Sequence, residues 1–344
     1  MKQADTANRK LVLAERPKGE PTLDTLRLEE EAIPSVGDNQ MLLRTEYLSL
    51  DPYMRGRMSD APSYAAPVEV GDVMVGGTVA KVVTSKLDGF AVGDWVLSQN
   101  GWQDYALSDG DGVTNLGASP EHPSWALGIL GMPGFTAWAG LTQIGEPKPG
   151  ETIVVAAATG PVGATVGQIG KLLGCRVVGI AGGPEKCAYA VDELGFDACI
   201  DHKAEDFADQ LTKANPDGID VYFENVGGKV LDAVIQLLNP HARVPVCGLV
   251  SQYNATELPS GPDRMNWLMG QILRNKIKVQ GFIIFDSFGH LYPDFAKQMG
   301  TWVEGGKIKY REEVIDGLEN APEAFFGLLN GENFGKRVIR VGQN

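Results

Sequence analysis

Cysteine, histidine and positive charge are all scarce in this chain of 344 residues. The four cysteines, Cys175, Cys187, Cys199 and Cys247, form no C-x-x-C pair, and the four histidines, His122, His202, His241 and His290, are scattered. No zinc-ligand spacing results, so no metal is expected and the cysteines read as reduced, small apolar residues. Lys and Arg total 30 against 44 Asp and Glu, a net charge of −14. Such a field repels nucleic acid and anionic lipid and argues against both as partners. No apolar run approaches the roughly 20 residues that span a bilayer. Met1 to Pro17 lacks an apolar core of signal-peptide length, so the expected location is the cytoplasm. What the chain has in quantity is glycine, 43 residues. A glycine pattern therefore carries weight only where the surrounding elements support it.

One stretch meets that condition. Thr152–Cys175 reads TIVVAAATGPVGATVGQIGKLLGC. Ile153 to Ala158 has the length and apolar content of a buried strand. A tight turn, Thr159-Gly160-Pro161, follows, and then a helical segment that ends at Gly174, a good left-handed cap. Strand, glycine turn and helix in that order build a dinucleotide pyrophosphate site. Free N–H groups and the helix dipole at the N-terminus favour phosphate. Gly160 permits close approach of the backbone to a ligand, and Gly163 permits close packing of helix on strand. Pro161 fits the first turn, where its missing N–H costs nothing, and Val162 lies between. The usual G-x-G-x-x-G is incomplete, because Ala158 stands at the first glycine.

The length suggests about two domains. Residues 1–133 read as β-rich, with strand-like runs at Met41–Leu50, Val73–Val83 and Asp94–Leu97 between glycine and proline turns, closer to a small irregular barrel than to a sandwich. Across 134–306, strand-like runs alternate with helical periods. After the first strand and helix come Arg176–Ile180, a helix from Pro184 to Leu194, Ala198–Asp201, a helix from Glu205 to Ala214, and Ile219–Glu224. A helix from Lys229 to Leu238, then Ala242–Cys247 and Ile277–Ile283, complete the set. The pattern predicts an α/β fold with a Rossmann doubly wound parallel sheet in the order 3-2-1-4-5-6. Residues 307–344 return to β signals, Lys307–Arg311 and Arg337–Val341 around a helix at Ala321–Asn330. They are expected to rejoin the first domain.

Ligands of such sheets lie beyond the carboxyl ends of the strands. That places Asn225, the segment Cys247, Gly248, Leu249, Val250 and Ser251, and Phe282, Ile283 and Ile284 on the binding edge. The second strand ends Gly179-Ile180-Ala181-Gly182-Gly183 without the carboxylate that usually holds the ribose hydroxyls of NAD. Lys186 follows within reach and supplies a counter-charge for a 2′-phosphate. The cofactor expected is NADPH.

Several motifs resemble one family. Ser49-Leu50-Asp51-Pro52-Tyr53-Met54-Arg55 is similar to the S-x-D-P-Y-M-R signature of the zinc-independent medium-chain dehydrogenases/reductases. Leu130–Ala137, Ala157–Gly163, Glu224–Gly228, Cys247–Asn254 and Asn333–Lys336 resemble the same family, in order along nearly the whole chain. The branch is that of the alkenal/one oxidoreductases, with leukotriene B4 dehydrogenase/prostaglandin reductase, and most resembles its bacterial NADPH-dependent curcumin/dihydrocurcumin reductases. The resemblance implies a GroES-like catalytic domain beside the Rossmann domain, and a homodimer. It implies that Lys186 contacts the 2′-phosphate and that Asn225, Cys247–Tyr253, Phe282–Ile284 and Asn333 contact the rest of NADPH. His202 aligns where animal members place a tyrosine near the 2′-phosphate. Met269 aligns near a second family tyrosine and leaves an apolar, adaptable wall.

The implied reaction is reduction of a carbon–carbon double bond conjugated to a carbonyl, with hydride passing to the β-carbon of an enone such as curcumin or dihydrocurcumin. Negative charge then gathers on the carbonyl oxygen, where a preorganised donor is worth most. Neutral tyrosine hydroxyls suit that task. Tyr253 ends the fifth-strand motif and ranks first. Tyr64, after a Pro-Ser turn, and Tyr53, inside the signature, follow. Arg55 and Arg57 read as anion clamps or as surface charges. Quinone reduction, or cofactor binding without turnover, remains open at this level.

Overall fold

The computed structural model describes residues 7–257 and 263–342. The chain divides into two compact units, Met1–Gly128 with Glu312–Asn344, and Ile129–Arg311.

The first unit begins with β1 (Asn8–Leu13) and β2 (Leu26–Glu31), an antiparallel pair. Then come β3 (Met41–Ser49), the one-turn helix α1 (Met54–Arg57), β4 (Thr78–Ser85), β5 (Trp95–Ser98), β6 (Tyr105–Ser108) and β7 (Thr114–Gly117). Leu43, Val82 and Val96 alternate inward along β3, β4 and β5 and bury one face. One edge of β3 serves two partners. Met41–Arg44 pairs with β6, and Tyr47–Ser49 pairs with a strand from the far end of the chain.

The second unit opens with α2 (Met132–Ala139) and is built on a parallel sheet. Its strands are β8 (Thr152–Ala156), β9 (Arg176–Ala181), β10 (Ala198–Asp201), β11 (Ile219–Phe223), β12 (Leu238–Val246) and β13 (Lys278–Gly281). The connecting helices are α3 (Pro161–Leu172), α4 (Pro184–Asp192), α5 (Phe207–Ala214), α6 (Gly228–Ile235) and α7 (Met265–Asn275). The sheet order is β10-β9-β8-β11-β12-β13, the expected doubly wound order. β8 is buried at every position, as a strand covered on both faces must be. α7 packs Leu268 and Ile272 on the core and leaves Met269 exposed. Two further helices, α8 (Ile284–Phe288) and α9 (Tyr292–Glu304), close the unit.

The chain returns to the first unit with β14 (Glu312–Asp316), α10 (Ala321–Leu329) and β15 (Lys336–Arg340). β15 lies between β14 and β3. This corrects the strand expected at Lys307–Arg311. The alternation Lys307-Ile308-Lys309 reads as β, but the Lys309 backbone is taken by a side chain. Its N–H donates to Gln168 Oε1 (2.7 Å), and its carbonyl accepts from Gln168 Nε2 (3.0 Å). The ladder forms five residues later, in the acidic segment that pairs in parallel with β15. The helix expected to run to Leu238 stops at Ile235, because Leu238 already belongs to β12. Among the described residues no helix is long and apolar enough to cross a membrane.

Candidate functional site

At the carboxyl edge of the second unit's sheet, β8 runs into a turn whose sharpest residue is not glycine. Ala157 has φ 53°, a left-handed conformation disfavoured by its Cβ. The N–H of Ala158 donates to Ile180 O (3.0 Å) on β9, and that of Gly160 to Ala157 O (3.0 Å). Gly160 caps α3 with ordinary φ −75°, and Pro161 takes the first helical position. Gly163 is required by space: a Cβ there would lie 2.2 Å from Ala157 O. Val162 and Gly163 carry N–H groups of the first turn, which no helix can satisfy from within.

A second corner follows β9. Gly183 (φ 102°) turns the chain into α4, whose first turn holds half-exposed Lys186. His202 sits beside Gly182, its Nε2 3.0 Å from where a Gly182 Cβ would be, with Lys203 close by. Its Nδ1 is buried and has no partner. Burial first, then Lys229, pushes the imidazole below its ordinary 6.5, with Asp201 opposing. Asp201 is the carboxylate that sequence reasoning missed here, since it comes from the third strand. Its Oδ1 accepts from the N–H of Gly183 (2.9 Å) and of Lys203 (2.9 Å). Partial burial works against its ionisation. The Lys203 and Gly183 amides outweigh that and hold it below the usual range.

A third group joins the ends of β8, β11 and β12. Asn225 Nδ2 donates to Ala156 O (2.8 Å). The N–H of Val250 donates to Asn225 O (3.2 Å), and that of Ser251 to Val226 O (3.1 Å), as does Ser251 Oγ (2.6 Å). Leu249 lies against Gly227, and the Tyr253 hydroxyl comes within 3.1 Å of where a Gly248 Cβ would stand. Burial, with the Glu224 carboxyl nearby, pushes the Cys247 thiol up to about 12, so it stays protonated. Gly160–Gly163, Asn225 and Cys247–Tyr253 thus share one edge. The sixth strand, expected to run to Ile283, ends at Gly281; of the residues that follow it, Phe282 and Ile284 are buried and Ile283 is partly exposed. The Phe282 ring packs on Phe223 at 6.4 Å.

The first unit holds the remaining candidates. Tyr53 precedes α1 and packs on that unit's core. Burial above all, reinforced by Asp51, pushes its hydroxyl well above 10, so it remains a neutral donor. Tyr64 is 60 % exposed, with the Arg57 guanidinium 6.0 Å from its ring centre. Arg57 also donates to Ala66 O. Arg55 is not a surface charge. It is buried and donates to Gly19 O (2.7 Å). Asn333 donates to Gly335 O (2.9 Å). Two residues before Tyr53, Asp51 forms an ion pair not anticipated from the sequence. Lys336 Nζ meets Asp51 Oδ1 (2.6 Å) and Leu50 O (2.8 Å), and Ser49 Oγ bonds the other Asp51 oxygen. Among the described residues no three His, Cys, Asp or Glu side chains gather in a way that could hold a metal ion.

Residues 9–116 match the model of the N-terminal domain of oxidoreductases, and residues 161–302 that of zinc-binding dehydrogenases. The chain belongs to the medium-chain dehydrogenase/reductase family. Within it, the chain falls in the zinc-independent alkenal/one oxidoreductase branch. It is 63 % identical over 341 residues to the NADPH-dependent curcumin reductase of Escherichia coli (strain K12), covering 99 % of each chain. It is 39 % identical over 345 residues to the NADP(+)-dependent 2-alkenal reductase of Nicotiana tabacum, covering 98 % of this chain and 99 % of that one. The crystal structure of CurA from Vibrio vulnificus in complex with NADPH superposes with a TM-score of 0.96 at 63 % identity, over 98 % of this chain and 100 % of that one.

Proposed function

We propose that the protein is an NADPH-dependent enone reductase acting on curcumin-like or smaller α,β-unsaturated ketones. The observation that carries this reading is the single edge on which Asn225 is hydrogen-bonded both to Ala156, the residue before the turn Ala157–Gly163, and to the Cys247–Tyr253 segment. The near full-length identity to an NADPH-dependent curcumin reductase supports it. NADPH, when bound, supplies the hydride for the β-carbon. The N-terminal turn of α3 takes the pyrophosphate, by its open N–H groups and its dipole. Lys186 and the neutral ring of His202 take the 2′-phosphate. Asp201 stays ionised on the Gly183 and Lys203 amides, and its negative charge is one that Lys186 and Lys203 must outweigh there. Asn225, the Cys247–Ser251 segment and Asn333 contact the rest of the cofactor, and Ile283 gives it an apolar surface. Phe282 and Ile284 act from behind, as packing.

The developing oxyanion needs a neutral donor. Tyr253 is the first choice, and Tyr64 and Tyr53 are the hydroxyls that the first unit offers. The protein works as a homodimer. Strand β13 ends the sheet with all four residues exposed, and Leu273 of α7 is 82 % exposed. An uncovered edge with apolar side chains calls for a partner. Four free cysteines accord with a cytoplasmic setting.

The test is NADPH oxidation by the full chain with curcumin, a small alkenone and an ortho-quinone as acceptors, repeated with NADH. Enone-dependent oxidation that strongly favours NADPH is expected. Turnover of the quinone with no reduction of any enone overturns the reading.

A further inference from the structure

Glu224 closes β11 and is 1 % exposed. Its Oε1 accepts three hydrogen bonds, from the Tyr222 hydroxyl (3.1 Å), Val226 N–H (2.6 Å) and Gly227 N–H (2.9 Å). Oε2 is buried with no hydrogen-bond partner. Its backbone carbonyl accepts from Cys247 N–H (2.9 Å) and Gly248 N–H (3.2 Å). One residue therefore shapes the turn after β11 and ties it to the loop after β12. Gly227 and Gly228, with φ 77° and 56°, then turn the chain from that amide into α6. Asn225 and Val226, the next two residues, extend the same stitching to Ala156, Val250 and Ser251.

We propose that Glu224 is a positioning residue that holds the loops for the nicotinamide half of NADPH and leaves the adenosine half alone. The inference rests on the NADPH reading above. Its physical basis is reach. Every side-chain partner of Glu224 lies within three residues of it, while the Gly182–Lys186 corner is built on β9, β10 and α4 by other hydrogen bonds. Removing the carboxyl leaves two buried amides and a phenol without an acceptor, and the turn must move to satisfy them. Glutamine keeps one oxygen at the Oε1 position and so keeps all three bonds. Alanine keeps none.

The experiment is calorimetric titration of the full chain with NADPH and with adenosine 2′,5′-bisphosphate, the adenosine end of the cofactor. Glu224→Ala should weaken NADPH by roughly tenfold or more, because a buried acceptor is lost. Adenosine 2′,5′-bisphosphate should stay within about twofold of the parent chain, because distant sites act independently. Glu224→Gln should restore NADPH binding to within about threefold of the parent. If the alanine chain does not fold, Glu224→Asp carries the same test, since its oxygens fall one methylene short of the Val226 and Gly227 amides. Equal loss of both ligands in a folded variant, or no loss of NADPH, overturns the proposal. A parent chain that binds neither ligand removes the NADPH reading itself, and the positioning role with it.

Discussion

A buried carboxyl sits near the candidate residues of each unit, and the two are satisfied by opposite means. In the first unit Asp51 is paired with Lys336, whose side chain is 1 % exposed against 8 % for Asp51. In the second, Glu224 is met by an O–H and two N–H groups and by no cation among the described residues. The pair spans 285 positions and staples the Ser49–Arg55 segment to β15. Glu224 shapes only what lies beside it. A charge pair out of water is costly to break from one side, because the survivor is left alone in a poor dielectric. Neutral donors around a carboxyl make a gentler arrangement that another acceptor can replace. Backbone strain divides in the same way. Among described non-glycine residues with positive φ, the first unit has only Asn39. The second has Glu146, Ala157, His241 and Lys276. Asparagine tolerates that region, while alanine is strained there, at the turn proposed to meet the pyrophosphate.

The largest effect should come from breaking the pair. Lys336→Met is expected to cost about 3–5 kcal/mol in denaturant unfolding, since it strands Asp51. Adding Asp51→Asn should return part of that loss. A cost for the single variant below about 1 kcal/mol would mean the pair is incidental.

Next comes a lysine of the second unit, placed at an open corner rather than inside. Lys186→Ala should weaken NADPH by about 1.5–3 kcal/mol, the worth of a hydrogen bond to a charged group, and leave NADH nearly unchanged. Equal weakening of both in a binding titration excludes the 2′-phosphate role.

Glu224 sharpens the contrast by pH. Burial raises its pKa above the ordinary 4.5, against its hydrogen-bond donors. The folded chain then keeps this proton to a higher pH than the unfolded chain. The stabilising contribution is complete below the unfolded pKa and is lost as pH rises through the folded one. Glu224→Gln, which cannot ionise, should flatten that fall in a series of melting temperatures above about pH 4. An unchanged slope would show that the carboxyl does not titrate differently on folding.

The smallest expected effect is at the turn. Ala157→Gly removes a left-handed alanine and should raise stability by at most about 1 kcal/mol, because the relief is partly offset by a freer unfolded chain. A loss of stability in thermal unfolding would place the strain elsewhere.

The regular parts of the second unit are legible in the sequence. Continuous apolar runs broken by helical periods announce a buried parallel sheet, and its strand order followed. The space that demands Gly163 and the proline that starts α3 were equally legible, since both depend on a few neighbouring residues. Ala158 stands at the motif's first glycine position, while the strained residue is its neighbour Ala157. A dihedral angle is not written in residue type. The misplaced strand at Lys307–Arg311 has a similar origin. Alternation was present, but Gln168, far off in sequence, had claimed the Lys309 backbone. Glu224 and Asp51 both stood inside recognised motifs, yet nothing in those motifs told which was paired with a charge.

The chain alone determined its elements, their alternation and the turn that begins α3, because periodicity, capping and the reach of a side chain over a few residues are local properties. Only tertiary structure decided that Lys336 answers Asp51, that Asp201 is spent on the Gly183 and Lys203 amides, and that Arg55 lies buried. Those outcomes depend on which distant atoms arrive within about 3 Å of one another, where hydrogen bonds form, and on how much water is excluded when they do.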